Sequence, residues 1–243
     1  MERKQVKTQT VVLEDIPFQP NFEKIAKRLR VKEGSANAED LHQLLEEAKA
    51  VARPRALYGV AYVSSRADDS VSLDSHTFKS RVLRVNLEDV HRVFPYVATC
   101  GMELHEWKSS IDDMLQSYYA DTINEAALNA ARQALKTHLT DQYALGRTAT
   151  MSPGSLEDWP IRQQRPLFAL LGDPEEAIGV HLSDSMLMIP SKSVSGIRFP
   201  TEERFESCQL CPRGGCPSRK APYDEDLYDK KFSRSDGAGE TSP

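Results

Sequence analysis

Residues 150–199 read TMSPGSLEDWPIRQQRPLFALLGDPEEAIGVHLSDSMLMIPSKSVSGIRF, and the order of elements in this stretch decides the fold class. Its opening belongs to a Pro- and Gly-punctuated segment, Gly146 to Pro160, which predicts a loop. Ile161 to Leu171 predicts a short helix, with a core-sized apolar run at Leu167 to Leu171. Three strand-like runs follow, around Ile178 to Leu182, Ser185 to Ile189 and Ser193 to Phe199. Strands mixed with helices and clustered near the end argue α+β rather than a βαβ repeat.

Upstream, the longest helix signal runs from about Asp112 to His138. It is rich in Ala, Leu and Gln, lacks Gly and Pro, and repeats Leu115, Tyr118, Thr122 and Ala126 at helical spacing. Before it, ALYGVAYVS (Ala56 to Ser64) is aromatic and β-branched and predicts a strand. KSRVLRVNL (Lys79 to Leu87) alternates and predicts a second, while Tyr96 to Thr99 predicts a short buried strand running into a turn at Cys100-Gly101. Two helices precede these. Phe22, Ile25, Ala26 and Leu29 share one face, as do Leu41, Leu44, Leu45 and Ala48, with Asn37 as the expected cap and Arg53-Pro54 as the stop. Val6 to Ile16 alternates loosely as a strand. From Pro217 onward the chain is charged, Gly/Ser/Pro-containing and almost without aliphatic residues. The expected partition is a single α+β domain over 1–206, a cysteine-rich segment over 207–220 and a disordered tail over 221–243.

Composition excludes several functions. The 243 residues carry 31 Lys plus Arg against 36 Asp plus Glu, a net charge of −5, where broad nucleic-acid binding needs a basic face. No stretch approaches the roughly 18 apolar residues of a membrane helix, and MERKQVKTQT has no apolar signal core, so a cytoplasmic protein is expected. Neither a GxGxxG nor a GxxxxGK[ST] phosphate loop occurs, and HExxH and GxSxG are also missing.

The block from Thr150 to Phe199 resembles the C-terminal reactivation (activation) domain of cobalamin-dependent methionine synthase and its stand-alone relatives. The resemblance rests on Ser152-Pro153-Gly154, Asp158-Trp159-Pro160, Leu167-Phe168, Ile178-Gly179, the Met186-to-Pro190 run and Ser193-Val194-Ser195-Gly196. It extends upstream through YADTINEAALNAA (Tyr119 to Ala131) and YVATCG (Tyr96 to Gly101), covering roughly 85–200. It implies a twisted antiparallel sheet with surrounding helices. It also implies S-adenosylmethionine binding and docking over cobalamin held by a partner, a corrinoid-binding methyltransferase protein. An electron-donor protein would be a further partner, and the chain itself would contribute no catalytic residue. The family's ligand-contacting Glu corresponds to Glu125, whose carboxylate suits an amino group. Its Arg-x-x-x-Gly-Tyr loop falls on Thr150, Gly154 and Ser155, where only the glycine is kept. Arg147 is a candidate to replace the missing guanidinium. The plainer readings make Glu125 a solvated helix position and Gly154 a turn residue.

Three of the four cysteines crowd into C-x2-C-x4-C at Cys208, Cys211 and Cys216, in a stretch loosened by Pro212, Gly214, Gly215 and Pro217. Thiolates so spaced on flexible backbone can wrap an iron–sulfur cluster or, on spacing alone, zinc, with Cys100 as the fourth ligand. A reduced, metal-free thiol patch is the third option. The sequence thus supports two main readings, an accessory protein acting in trans on a corrinoid methyltransferase, and a metal-bearing accessory or electron-transfer protein on the same fold. An interaction module that docks a partner through its acidic tail is the third.

Overall fold

The structure, a computed structural model, describes residues 8–216 and 219–233. The chain runs β1 (Gln9–Leu13), α1 (Phe22–Leu29), α2 (Ala36–Val51), β2 (Arg55–Ala67), β3 (Ser70–Leu73), β4 (His76–Lys79), α3 (Arg81–Asn86) and β5 (Arg92–Thr99). It continues through α4 (Met102–Ser109), α5 (Met114–Tyr143), β6 (Thr148–Met151), α6 (Gln164–Leu171), α7 (Pro174–Ile178), β7 (His181–Leu182), β8 (Met188–Ile189), β9 (Ser193–Pro200) and α8 (Leu227–Lys231). Seven strands form one sheet in the order β4-β3-β2-β5-β9-β6, with β1 also on β2, and every pairing is antiparallel. β7 and β8 make a separate ribbon.

Alternation along the strands sorts side chains onto two faces. Ala56, Tyr58, Phe94, Tyr96 and Ala98 meet Ala131, Leu135 and Leu139 of α5. On the opposite face Leu57 and Val97 meet Phe168 and Leu171 of α6 and Ile178 of α7. The 30-residue α5 outruns the sheet, and its N-terminal half buries Ile123 and Ala127 against Leu41 and Leu44 of α2 and Leu104 of α4. A fourth cluster gathers Val71, Phe78, Val82, Leu83, Trp159, Ile197 and Phe199 at the hairpin end of the sheet. No helix among the described residues is long and apolar enough to cross a membrane.

The expected α+β class, with an antiparallel sheet and surrounding helices, is the class observed, but several elements differ from expectation. Lys79 to Leu87 is not a strand: β4 ends at Lys79 and α3 begins at Arg81. Val82 and Leu83, adjacent and both fully buried, lie on the flank of a helix packed into the hairpin-end cluster. The N-terminus of α3 is secured by Ser80 Oγ, which accepts from Leu83 N at 2.9 Å, and by Asp158, which accepts from the backbone N–H groups of Arg81 and Val82, each at 3.1 Å. Ser35 rather than Asn37 occupies the cap position of α2. The expected loop from Gly146 opens with β6, and Ile178 closes a helix rather than opening a strand.

The tail also departs from expectation. Residues 219–233 lie on the domain: Leu227–Lys231 form α8, and Phe232 is fully buried in the cluster that holds Phe205. The two rings meet edge-on with centroids 6.1 Å apart, and Arg81 Nε donates to the Phe232 carbonyl at 3.0 Å. Phe232, with Leu227 packed against the same cluster, docks a segment otherwise poor in aliphatic residues. Residues 234–243 of the expected tail lie outside the described residues.

Candidate functional site

β6 is an edge strand, and its alternation puts Ala149 and Met151 into the hairpin-end core. Thr148 and Thr150 therefore point to the α5 side. Beyond Met151 the chain turns sharply. Gly154 adopts φ 80°, donates its N–H to the Trp159 carbonyl at 2.7 Å, and would place a Cβ 2.6 Å from Ile161 Cδ1. Both the left-handed backbone and the close approach require glycine there. Ser155 Oγ donates to the Ser152 carbonyl at 2.6 Å. Trp159, fully buried, anchors the far end of the loop, and Asp158 ties it to α3.

Between this loop and the docked tail lies a cleft of about 740 Å³, bounded by Gly154, Ser155, Asp158 and Ile161 on one side and Cys211 and Tyr228 on the other. A second cavity of about 890 Å³ shares Asp158 and Tyr228 and adds Lys79, Arg81 and Arg162.

The sequence-derived ligand positions are not gathered in one cavity. Gly154 and Ser155 line the 740 Å³ cleft. Thr150 stands on the α5 side of the sheet, opposite Arg198 in the β6–β9 register. Glu125 projects from α5 toward α1 and pairs with Arg28 at 2.6 Å; the Glu125 side chain is 31% exposed and that of Arg28 55%. Such an exposed pair is worth at most about 1 kcal/mol, so an incoming ammonium group can compete for the carboxylate. Arg147, the candidate to replace the missing guanidinium, precedes β6 at its outer end. Its Nη1 donates to the Glu202 carbonyl at 2.9 Å and its own carbonyl accepts from Thr201 N.

Sequence reasoning missed a basic pair on the α5 side. Arg198 of β9 sits between Ile197 and Phe199, both fully buried on the opposite face. Its Nη1 donates to Thr148 Oγ1 at 2.8 Å, while its Nε is buried without a hydrogen-bond partner. Burial pushes the Arg198 pKa down, and nearby Arg132 of α5 pushes the same way. Tyr96 lies fully enclosed beside them. Burial raises its pKa, while Arg198, Arg132 and a hydrogen bond with Ser152 pull it down. The available signal was a charged residue at an alternating position in SVSGIRF.

The cysteines do not form the expected centre. Cys100 is fully buried among α2, α4 and α5, and burial pushes its thiol up to about 12, the reverse of what a thiolate ligand needs. Cys211 packs against a different cluster, the one holding Phe205 and Phe232. The loop of Cys208 to Cys216 is organised by Arg219, whose guanidinium donates to the carbonyls of Cys208 (3.0 Å), Cys211 (3.2 Å), Ala221 (3.4 Å) and Arg213. Among the described residues, no three His, Cys, Asp or Glu side chains are grouped to hold a metal ion. Neither an iron–sulfur cluster nor zinc is therefore supported.

Scans against protein-family models and against curated proteins return no match. Among solved structures, the crystal structure of the MetH reactivation domain bound to AdoHcy matches 84% of this chain and 82% of that one, with a TM-score of 0.55 and 13% sequence identity. At that identity the likeness is one of architecture. The chain has the fold of the MetH reactivation domain, a mixed α+β unit with an antiparallel sheet surrounded by helices.

Proposed function

We propose that this chain acts as a free-standing reactivation module for a corrinoid-dependent methyltransferase. In this reading it binds an S-adenosyl amino acid and works in trans on cobalamin held by its partner. The carrying observation is the match over 84% of the chain to a domain whose crystal structure contains AdoHcy. The loop glycine and the α5 carboxylate add support: Gly154 holds its tight turn, and Glu125 offers a solvent-accessible carboxylate. S-adenosylmethionine, when bound, supplies the methyl group, and an electron-donor protein supplies the electron needed to return an oxidised corrinoid to its methylated state. The chain's own work is to position the ligand and to cover the site from water.

Calorimetric titration of the full chain with S-adenosylhomocysteine and S-adenosylmethionine tests the first half. The second half is tested by adding the chain, S-adenosylmethionine and a reductant to a cobalamin-loaded methionine synthase fragment lacking its own reactivation domain. Recovery of the methylated corrinoid spectrum is the expected result. No binding heat and no spectral recovery would overturn the reading.

A further inference from the structure

The geometry points to Arg198, with Arg132 beside it, as the carboxylate-binding subsite of this chain, the guanidinium having crossed from β6 to the directly opposed position on β9. The inference rests on the reading that the ligand is an S-adenosyl amino acid, and it names which residues hold that ligand's carboxylate.

Register comes first. Thr150 and Arg198 are direct cross-strand partners, and the Cβ atoms of such partners lie about 4.5–5.5 Å apart on the same face. A long side chain at position 198 therefore commands the same volume as one at 150. That volume faces α5, because Arg198 alternates with Val194 and Gly196, and β9 sets Gly196 opposite Tyr96 and Arg198 opposite Phe94.

The donor set comes second. Thr148 Oγ1 occupies Nη1. The remaining edge, Nε with Nη2, makes no hydrogen bond among the described residues, and Nε is buried. The hydrogens on those two nitrogens project to the same side and match the two oxygens of a carboxylate. A buried donor left unpaired costs about 1–3 kcal/mol, which a bound carboxylate would offset. Because Nε is covered, a neighbour must move to admit a ligand. Arg132, whose charge acts on Arg198, makes one side-chain hydrogen bond among the described residues, to Asn129 Oδ1 at 3.3 Å.

Charge comes third. Neither arginine has a carboxylate within ion-pair distance among the described residues, although the two lie close enough to repel. Glu206 acts on Arg198 from farther away, but its carboxylate caps the 3-10 turn Ser207–Leu210 and faces Lys220 at 3.9 Å. A purely structural Arg198, bridging β6 and β9 through Thr148, accounts for Nη1 but not for the free Nε edge or for a second arginine.

The test is calorimetric titration of the full chain with S-adenosylhomocysteine and with 5′-methylthioadenosine, which keeps the nucleoside and lacks the carboxylate. R198M should weaken S-adenosylhomocysteine by roughly 10- to 100-fold, the range for losing bonds to a charged group, and leave methylthioadenosine unchanged. R198K, with one point donor in place of a fork, should recover only part of the loss. The strand swap T150R/R198T should restore most of it. Should R198M fold poorly, R198K and the swap carry the comparison. Unchanged S-adenosylhomocysteine binding by R198M, or equal weakening of both ligands, would overturn the subsite alone. Failure of the unaltered chain to bind either ligand would overturn the functional reading and the subsite with it.

Discussion

Replacing Asp158 by alanine removes, in one step, the acceptor for Arg81 N, Val82 N and the Ser80 hydroxyl. A single neutral capping bond is worth about 0.5–2 kcal/mol, and hydrogen bonds to a charged group about 1.5–3 kcal/mol. Three bonds sharing one carboxylate are not additive, so Asp158→Ala should cost about 3 kcal/mol. D158N keeps one acceptor oxygen and lets the Ser80 hydroxyl rotate, so it should cost about half as much. In a chain of this length 1 kcal/mol shifts Tm by about 2–4 °C, so D158A should melt about 6–12 °C lower. Urea unfolding followed by circular dichroism measures the loss, with the slope against urea unchanged. Native-state hydrogen exchange locates it, since the amides of residues 81–83 should lose protection first. A loss under about 0.5 kcal/mol, the level of an ordinary surface change, would refute the claim that a side chain 76 or more residues away forms α3.

Phe232→Ala should destabilise by about 3–5 kcal/mol, as for a fully buried aromatic, and deletion from Ser207 onward should do at least as much, both read from urea midpoints. Cys100 should resist iodoacetamide at pH 8 in the native state while Cys208, Cys211 and Cys216 react, with mass spectrometry counting three adducts before unfolding and four after. The thiol of Cys100 is raised by burial from 9.0 to about 12, so the folded state holds a proton that the unfolded state releases. Its contribution is therefore complete below pH 9 and lost as pH rises toward 12. Relative to C100A, the wild type should lose about 1.4 kcal/mol per pH unit above 9.

Elements whose pattern is set by their own burial were legible in the sequence. α5 is recognisable as a helix because its 30 residues lack Gly and Pro, but the stripe read from it was turned: Leu115 and Tyr118 are exposed, and Tyr119, Ile123 and Ala127 face the core. β2 is recognisable from its aromatic and β-branched residues, β5 from the apolar run Tyr96 to Thr99, and β9 from the run Ser193 to Phe199. α3 was misread because KSRVLRVNL fits both periods over so short a span, and Asp158, the group that decides between them, lies far along the chain. The docked tail hid for a similar reason: its attachment depends on Phe232 and on Arg81, and neither stands out locally. At the candidate site, Gly154 was legible as a residue a turn needs. Arg198 was not, because its significance comes from facing Thr150 across a ladder, and register is a property of two strands together. The cysteine spacing misled in the opposite direction. Close thiols in sequence suggested a shared centre, whereas a guanidinium gathering four carbonyls shapes the loop instead.

The 13 residues of β2 carry two ladders end to end along one edge. β1 binds the first part, from Ala56 to Val60, and β3 the last, with the register slipping between Val63 and Ser65. β5 spans the other edge from Arg55 to Tyr62. Asp74, in the turn of the β3–β4 hairpin, bridges the junction: its carboxylate accepts from Tyr62 N at 3.0 Å and from Thr8 Oγ1 at 2.8 Å. The junction is therefore a tied splice, in which one carboxylate fastens the start of β1 and the turn of the hairpin to the same strand.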